Sequence, residues 1–208
     1  MKAVRSFPSP PDPSTIDHFV HLHGVSWSAY EAILAMRGDE SVPRITYLRG
    51  TLELMSPSRY HENDKKRLAR LLERWAEESG IRIEGIGSWT LKNSREERGV
   101  EPDECYMIDR VPVRDDDRPD IAVEVIWTSG GIDKLEVYRK LGVREVWFYE
   151  RGTLRFFTLR EERYAALERS ELLPDADPEL FVRCMAAASQ SEAIQMLCDA
   201  LRSAPAGS

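Results

Sequence analysis

The chain has 208 residues, of which 42% are apolar and 31% are charged, and its formal net charge at pH 7 is -7. That length suffices for one α/β domain with a substantial core, and the negative charge argues against a broad cationic surface for duplex nucleic acid. No run approaches the roughly 18 consecutive apolar residues of a membrane span, and the first residues lack the apolar core of a signal peptide. The three cysteines have no metal-ligand spacing and cannot all pair, so we expect reduced thiols in a cytoplasmic protein.

We expect a single domain over residues 15–202, preceded by a flexible proline-rich arm at 1–14 and followed by a disordered tail at 203–208. Hydrophobic periodicity and turn residues predict the elements of an α/β protein. In chain order these are a helix at 26–37, a hairpin of strands 44–48 and 51–55, a helix at 59–79, strands at 81–87 and 88–91, an exposed turn at 93–99, a short strand after Pro102-Asp103, a strand–helix–strand unit at 119–150, a hairpin at 153–167, and helices at 179–188 and 191–202.

The strand–helix–strand unit at 119–150 is the centre of the predicted sheet, and its two strands are expected to be parallel. Residues 121–127 form an almost unbroken apolar run, which is typical of a strand covered on both faces, and Glu124 alone interrupts it. Strand alternation places Glu124 on the face opposite to that of Ile121, Val123, Val125 and Trp127.

Lys134 has a position that is unfavourable for helix stability alone. We expect Thr128 or Ser129 to cap the helix, and Lys134 then lies in the first turn, where the macrodipole disfavours a cation. The turn also carries Lys134 back over the end of the strand that holds Glu124. Because a buried carboxylate is costly unless it is paired, Lys134 is either the structural partner of Glu124 or a member of an active site with it.

Asp103, which follows Pro102, is a further candidate. Two carboxylates at strand ends or turns, here Asp103 and Glu124, can hold a divalent cation while water and a substrate phosphate complete its coordination. Such a cation polarises a phosphoryl oxygen and lowers the pKa of bound water, and a nearby lysine can orient that water or stabilise developing charge. The alternative interpretations are an ordinary turn residue at 103 and a purely structural ion pair between Glu124 and Lys134.

The helix at 59–79 has a basic first half, and its charged residues are Arg59, Lys65, Lys66, Arg67 and Arg70. A solvated helix face is the commoner meaning of such a run. His61 and Lys65 are one turn apart and in line with the apolar positions Leu68 and Leu72, so they are predicted to point into a cleft.

Several other residues have ordinary interpretations. Glu101 and Glu104 are expected to be solvated. His21 and His23 alternate like a metal-binding pair, but without a third ligand nearby an exposed strand or loop is the better interpretation. Tyr138 is expected to be a core residue, as is Trp147.

The order of Pro102-Asp103, an acid inside an apolar strand at Glu124, and then Lys134 resembles the PD-(D/E)XK nuclease superfamily. The segments GTLELMSPSRYHE, EPDECYMI and IAVEVIWTSGGIDKLEVYRKLGVREVWFY are similar, more closely, to those of the Uma-two-type endonucleases, which are classed as restriction-like nucleases. The resemblance covers residues 44–159, most of the domain. In the superfamily motif a lysine follows two residues after the second acid, a position that is Ile126 here, so the resemblance implies that the lysine has migrated onto the helix as Lys134.

The resemblance implies a restriction-endonuclease-like α/β fold, in which helices flank a central mixed β-sheet and further helices lie at the N-terminal and C-terminal ends. It also implies metal-dependent phosphodiester hydrolysis by Asp103, Glu124 and Lys134, with Mg²⁺ or Mn²⁺ held by the two acids and DNA as the expected substrate. Phosphate contacts are then expected from Arg59, Lys65 and Lys66. Secondary site candidates are Glu53, His61, Glu62 and Glu73. A homodimer is expected by analogy with other proteins of this fold. Association with a membrane is not expected.

Two other hypotheses remain open from the sequence. The protein could be a catalytically silent nucleic-acid-binding or assembly module that keeps the nuclease fold, since fold does not imply function. The net charge and the isoleucine at position 126 both favour that alternative. A phosphodiesterase for a small nucleotide is the third hypothesis.

Overall fold

The computed structural model describes residues 16–114, 116–128 and 131–203. The predicted arm at 1–14 lies outside the described residues, as does the predicted tail except for its first residue. That residue, Ser203, is the end of a helix. Within the described ranges, no helix is both long and apolar enough to cross a bilayer.

The described residues form five helices and eleven strands. The helices are α1 (Trp27–Arg37), α2 (Arg59–Glu78), α3 (Lys134–Tyr138), α4 (Pro178–Met185) and α5 (Gln190–Ser203). The strands are β1 (His18–His23), β2 (Arg44–Leu48), β3 (Thr51–Ser56), β4 (Ile83–Gly85), β5 (Leu91–Asn93), β6 (Arg98–Val100), β7 (Glu104–Ile108), β8 (Ile121–Ile126), β9 (Glu145–Glu150), β10 (Thr153–Arg160) and β11 (Arg163–Leu167).

The strands make two sheets. The larger has the order β11-β10-β9-β8-β7-β4, and the smaller has the order β1-β3-β2-β6-β5. In the larger sheet β8 and β9 are parallel, whereas its other strand pairs are antiparallel. The predicted α/β class with a mixed sheet and flanking helices is therefore confirmed, as is the parallel pair within 119–150. The sequence patterns do not predict that the β2–β3 hairpin belongs to a second sheet.

Strand β8 is buried on both faces, as its apolar run predicts. On one face Val123 lies in a core cluster with Leu72 and Trp75 of α2. On the other, Ala122 lies in a cluster with Tyr138 of α3. Burying each large apolar side chain contributes roughly 1.5–3 kcal/mol, so these two faces fix β8 firmly between α2 and α3.

The start of α3 differs from the prediction. The cap is Asp133, whose carboxylate accepts hydrogen bonds from the backbone N–H groups of Leu135 at 3.0 Å and Glu136 at 3.3 Å. Thr128 instead accepts a hydrogen bond from the backbone of Asp17 at 3.3 Å, and Ser129 lies outside the described residues. Asp133 prevails because its side chain lies directly beside the helix's first unpaired N–H groups.

The segment between residues 88 and 99 also differs. The strand predicted at 88–91 does not form over those residues. Strand β5 instead begins at Leu91 and pairs with β6 as a short hairpin. The predicted exposed turn at 93–99 therefore ends early. Arg98 within it is completely buried, where its guanidinium pairs with Glu136 at 3.0 Å. The prediction failed because this burial depends on a partner 38 residues away.

Candidate active site

Glu124 is buried in the middle of β8 and has two side-chain partners on α3. The Tyr138 hydroxyl donates to Glu124 Oε1 at 2.5 Å, and the Lys134 Nζ atom lies 3.3 Å from the same oxygen. Burial, together with the negative charge of Glu124, raises the pKa of Tyr138 well above its usual value, so the hydroxyl stays a donor. The structure thus brings the Glu124 and Lys134 side chains together. Tyr138 is a core residue, as predicted, and its hydroxyl group also contacts Glu124.

Asp103 lies just before β7, next to the part of β8 that carries Glu124. The register pairs Glu104 with Val123, so Asp103 falls one residue further along, beside the Glu124–Val125 segment. Asp103 Oδ2 accepts a hydrogen bond from the Val125 N–H at 2.6 Å. The side chain is 1% exposed, so Asp103 is not an ordinary solvated turn residue.

Two basic side chains contact the remaining oxygen of Asp103. Arg44 of β2 forms an ion pair with it, and the Nε2 atom of His61 lies 2.9 Å away. Both of these side chains are buried. The Asp103 charge is therefore compensated inside the protein, which lowers the cost of burying this carboxylate.

His61, a secondary site candidate, is completely buried at the start of α2. Its Nδ1 atom lies 3.2 Å from Asp17 Oδ2, while its Nε2 atom faces Asp103. A carboxylate therefore faces each ring nitrogen, so the ring is held from both sides. The prediction that His61 points inward is confirmed by its burial.

Asp17 was not predicted from the sequence, and it lies outside the segment that resembles the nuclease family. Its carboxylate accepts hydrogen bonds from the backbone of Ser58 at 2.8 Å and of Thr128 at 3.2 Å. Burial raises the pKa of Asp17, but the hydrogen bonds from His61 and Ser58 outweigh it, and the net shift is downward. Asp17 thus fixes α2 and the end of β8 at one point.

Glu53 of β3 holds the loop that follows β8. Its Oε2 atom accepts hydrogen bonds from the backbone N–H groups of Gly131 at 2.8 Å and Ile132 at 3.3 Å. The His21 Nε2 atom lies 2.7 Å from the same oxygen. His21 does lie in an exposed strand, as predicted, but its ring contacts a buried acid, which that interpretation did not include.

The other acidic candidates lie elsewhere. Glu62 pairs with Arg44 at 2.8 Å and with Lys65 at 3.6 Å. Glu73 is exposed, and a side chain added at Gly85 would meet it. Neither Glu62 nor Glu73 lines the cavity described below.

The expectation that Glu101 and Glu104 are solvated is wrong. Glu101 is 3% exposed, forms an ion pair with Arg37, and accepts a hydrogen bond from the Ile45 N–H at 2.9 Å. Glu104 is largely buried, and burial raises its pKa. Both residues lie within two positions of Asp103, where the chain passes from β6 of the smaller sheet to β7 of the larger one. Their burial depends on partners that are distant in sequence.

A cavity of about 280 Å³ opens at the end of β8 and brings together Glu53, Glu124 and Lys134. Its charged lining residues are four acids and two bases: Asp17, Glu53, Glu124, Asp133, Lys134 and Arg155. Its remaining lining is mainly apolar: Phe19, Met55, Val125, Ile126, Thr128, Ile132, Leu135, Phe148 and Phe157. Acids outnumber bases here, so the cavity repels a phosphate unless a further cation is present.

The predicted basic contacts lie at the N-terminal half of α2. Arg59 and Lys66 are exposed, whereas Lys65 is mostly buried and lies 3.9 Å from Glu104. Lys65 therefore belongs partly to the protein's own ion pairs, and Arg59 and Lys66 are the members of this set that solvent reaches.

Asp103 and Glu124 fit a divalent cation in the type of donor that they present, which is carboxylate oxygen on adjacent strand segments. Their present side-chain partners are all cations or hydrogen-bond donors, which compensate negative charge as a metal ion would: Arg44, His61, Lys134 and Tyr138. Among the described residues, no group of three or more histidine, cysteine, aspartate or glutamate side chains is arranged to hold a metal. Water and phosphate oxygens would therefore have to supply the other ligands.

Comparison with known proteins gives the family. The sequence profile of Uma2, described as "Putative restriction endonuclease", matches residues 27–188, well over half of the chain. No curated protein matches the chain. Among solved structures, the chain is similar to one described as a putative nuclease belonging to DUF820 from Anabaena variabilis, at 15% identity and a TM-score of 0.45, over 78% of this chain and 96% of that one. The family resemblance predicted from the sequence is confirmed: the chain belongs to the Uma2 family of putative restriction endonucleases.

Proposed function

We propose that this protein is a nuclease that hydrolyses phosphodiester bonds in DNA and depends on Mg²⁺ or Mn²⁺. The observation that carries the proposal is the contact between the Lys134 amine and the Glu124 carboxylate, 3.3 Å apart, at the wall of an open cavity. A purely structural ion pair has no need of such a cavity. An open pocket with a few convergent polar groups is typical of an active site.

In this proposal Asp103 and Glu124 hold the cation. When bound, the cation supplies an activated water nucleophile and neutralises charge on the phosphate. The excess of acids over bases around the cavity supports the need for such a cation, because a phosphate would otherwise be repelled.

Lys134 positions the attacking water and stabilises the charge that develops on the phosphoryl group. Its amine can do this because it lies on the first turn of α3, directly over Glu124, and is itself 19% exposed. Tyr138 donates a 2.5 Å hydrogen bond to the same Glu124 oxygen that Lys134 contacts, which fixes the direction in which the acid points. Arg59 and Lys66, both exposed, would contact neighbouring phosphates of the strand.

The test is cleavage of single-stranded and duplex DNA, with and without Mg²⁺, by the wild type and by Asp103→Asn and Glu124→Gln. We expect the wild type to cleave only with metal, and each variant to lose about 100-fold or more. Glu104→Gln is the matched control, because Glu104 is adjacent to Asp103 in sequence but pairs with Lys65 at 3.9 Å. It should stay within a few-fold of wild type. Full activity in both Asp103→Asn and Glu124→Gln would refute the assignment.

The second candidate function is a catalytically silent nucleic-acid-binding module. The contacts of Asp103 favour it, because Arg44 and His61 already compensate this carboxylate without a metal. Thermal unfolding with and without Mn²⁺ separates the two, since a ligand that binds only the folded state raises the melting temperature. A nuclease site gains stability, and a silent module does not.

The predicted homodimer stays a prediction, which sedimentation analysis tests.

A further inference from the structure

Two aromatic rings stack beside the candidate active site. The Tyr60 and Trp127 rings lie 5.5 Å apart between centroids, with an angle of 9° between their planes. Trp127 is 41% exposed, whereas Trp75 and Trp147 of the core are each 1% exposed. The sequence pattern placed Trp127 at the end of a strand covered on both faces, but β8 ends one residue earlier, at Ile126.

This stack adjoins the site from two directions. Ile126 and Thr128, the chain neighbours of Trp127, both line the cavity that contains Glu124. Tyr60 directly precedes His61, whose ring contacts Asp103. Trp127 is therefore adjacent in sequence to two residues of the cavity, and Tyr60 is adjacent in sequence to the residue that contacts Asp103.

A basic group completes the surface. The Arg59 guanidinium lies 4.7 Å from the centroid of the Tyr60 ring and donates a hydrogen bond to its hydroxyl at 2.9 Å. Arg59 is exposed, so its charge is within reach of a ligand's phosphate. An exposed indole stacked on a tyrosine, with an arginine at its edge, is the combination that binds an unstacked nucleic-acid base and its backbone.

The overall charge favours a single strand over a duplex. With a net charge of -7, the protein has little general attraction for the dense phosphates of a duplex. Stacking on an aromatic ring does not depend on that attraction, but it needs a base whose face is open. In an intact duplex neighbouring bases already cover those faces, whereas a single strand or an unpaired end exposes them.

We propose that the Tyr60–Trp127 stack is a platform for a base of single-stranded DNA next to the cleavage site, so that the preferred substrate is a single strand or an unpaired end. This inference rests on the proposed function for its substrate class. The platform itself is a binding surface, and its test does not need catalysis. Tyr60 covers one face of the Trp127 indole, so the incoming base would stack on the part of the indole that solvent reaches.

The test measures binding in metal-free buffer with EDTA, where the proposed chemistry cannot occur. Fluorescence anisotropy compares three labelled probes: a short oligothymidylate, an abasic strand of the same length and charge, and a duplex. We expect the wild type to bind the oligothymidylate more tightly than either of the other probes. Trp127→Ala should weaken oligothymidylate binding about five-fold or more, and change binding of the abasic strand by less than about two-fold.

Two further variants test whether a loss of binding merely reflects damage to the fold. Trp127→Phe keeps a ring and should restore most of the affinity, which a damaged fold would not do. Val113→Ala removes an apolar side chain that is 84% exposed, and should leave all three affinities unchanged. The platform is refuted if Trp127→Ala binds oligothymidylate like the wild type, if it weakens the abasic strand equally, or if the wild type binds no single strand.

Failure of the platform and failure of the proposed function give different results. If Glu124→Gln abolishes cleavage while Trp127→Ala leaves binding intact, only the platform is wrong. If Trp127→Ala removes base-dependent binding while Glu124→Gln still cleaves, the catalytic assignment is wrong and the platform stands.

Discussion

The Lys134 Nζ atom lies 3.3 Å from Glu124 Oε1, although the lysine belongs to α3 and the glutamate to β8. Asp133 makes this contact possible, because it caps α3 and thereby fixes Lys134 as the first residue of the helix. A cation at this position opposes the helix dipole, so the contact with Glu124 has to offset that cost. The same geometry suits an ion pair and a catalytic amine, and the two roles predict different behaviour on mutation.

Replacing the lysine separates those roles. With Lys134→Met, we expect cleavage at saturating Mg²⁺ to fall about 100-fold, because the group that stabilises developing charge is gone. The affinity for Mg²⁺ should be retained or increased, since the amine no longer competes for Glu124. Kinetics over a range of metal concentrations measure both quantities. Lys92→Met, which removes an exposed lysine paired with Glu31, is the control. Unchanged cleavage with reduced folding stability would show that the pair is only structural.

The buried histidine should matter chiefly for stability. With His61→Asn, Asp17 and Asp103 each lose a partner inside the protein, and we expect the free energy of unfolding to fall by about 3 kcal/mol. Urea denaturation measures this difference. His23→Asn, at an exposed position of β1, should change stability by less than about 0.5 kcal/mol. A similar small change for His61→Asn would contradict the inferred network.

The local part of the site was predictable from the sequence, because it lies within one strand–helix–strand unit. Glu124 interrupts an apolar run, Lys134 follows ten residues later, and the parallel pairing of 121–126 with 145–150 follows from that order. Strand alternation also gave the correct faces of β8. Each of these deductions uses only the periods of strand and helix and one short turn.

The long-range part was not predictable, because it depends on how distant segments pack. Asp17 meets Thr128 across 111 positions, and Glu53 meets Gly131 across 78. Glu101 was expected to be solvated, yet Arg37, 64 positions earlier, pairs with it. No periodicity encodes such contacts. These contacts form because the strand order of the two sheets brings distant segments of the chain together.

Stability at low pH should depend on Glu136. Hydrogen bonds from Arg139 and Arg98 outweigh the effect of burial and lower the pKa of Glu136 from 4.5 to about 2. Since the folded-state pKa lies below the unfolded one, the ionised carboxylate stabilises the fold above pH 4.5. This contribution is lost as the pH falls towards 2.

Glu136→Gln tests that pH dependence. We expect the variant to be less stable than wild type at neutral pH, and the difference in unfolding free energy to shrink between pH 4.5 and about 2. Urea denaturation at a series of pH values measures the difference. A difference that stays constant over this range would show that the charge of Glu136 does not contribute. Glu179→Gln at the start of α4, outside this cluster, is the control for general acid effects.

A tight contact between α1 and the smaller sheet gives a stability prediction. A side chain added at Gly99 of β6 would come within 2.5 Å of the Tyr30 ring carbon Cζ, and Tyr30 is completely buried. We expect Gly99→Ala to lower the unfolding free energy by about 2 kcal/mol or more, because the tyrosine cannot move without disturbing its cluster.

Gly85→Ala is the matched comparison in thermal or urea unfolding. The added atom there would meet the Glu73 carboxylate at 3.1 Å and the buried Tyr106 ring at 3.2 Å. The end of the exposed Glu73 side chain can move aside, and the ring has to give by only a few tenths of an ångström. Its cost should be less than about 1 kcal/mol. Equal costs for the two variants would mean that the packing of Tyr30 against β6 is looser than the structure shows.

The most direct test of the metal assignment is calorimetric titration of Mn²⁺ into the wild type and into Glu124→Gln, each with and without a bound thiophosphate-linked oligonucleotide that resists cleavage. The account predicts binding of about one or two ions per chain in the wild type, strengthened by the oligonucleotide phosphates, and loss of that binding in Glu124→Gln. Equal binding in the two proteins, or no binding by the wild type even with the oligonucleotide present, would contradict it.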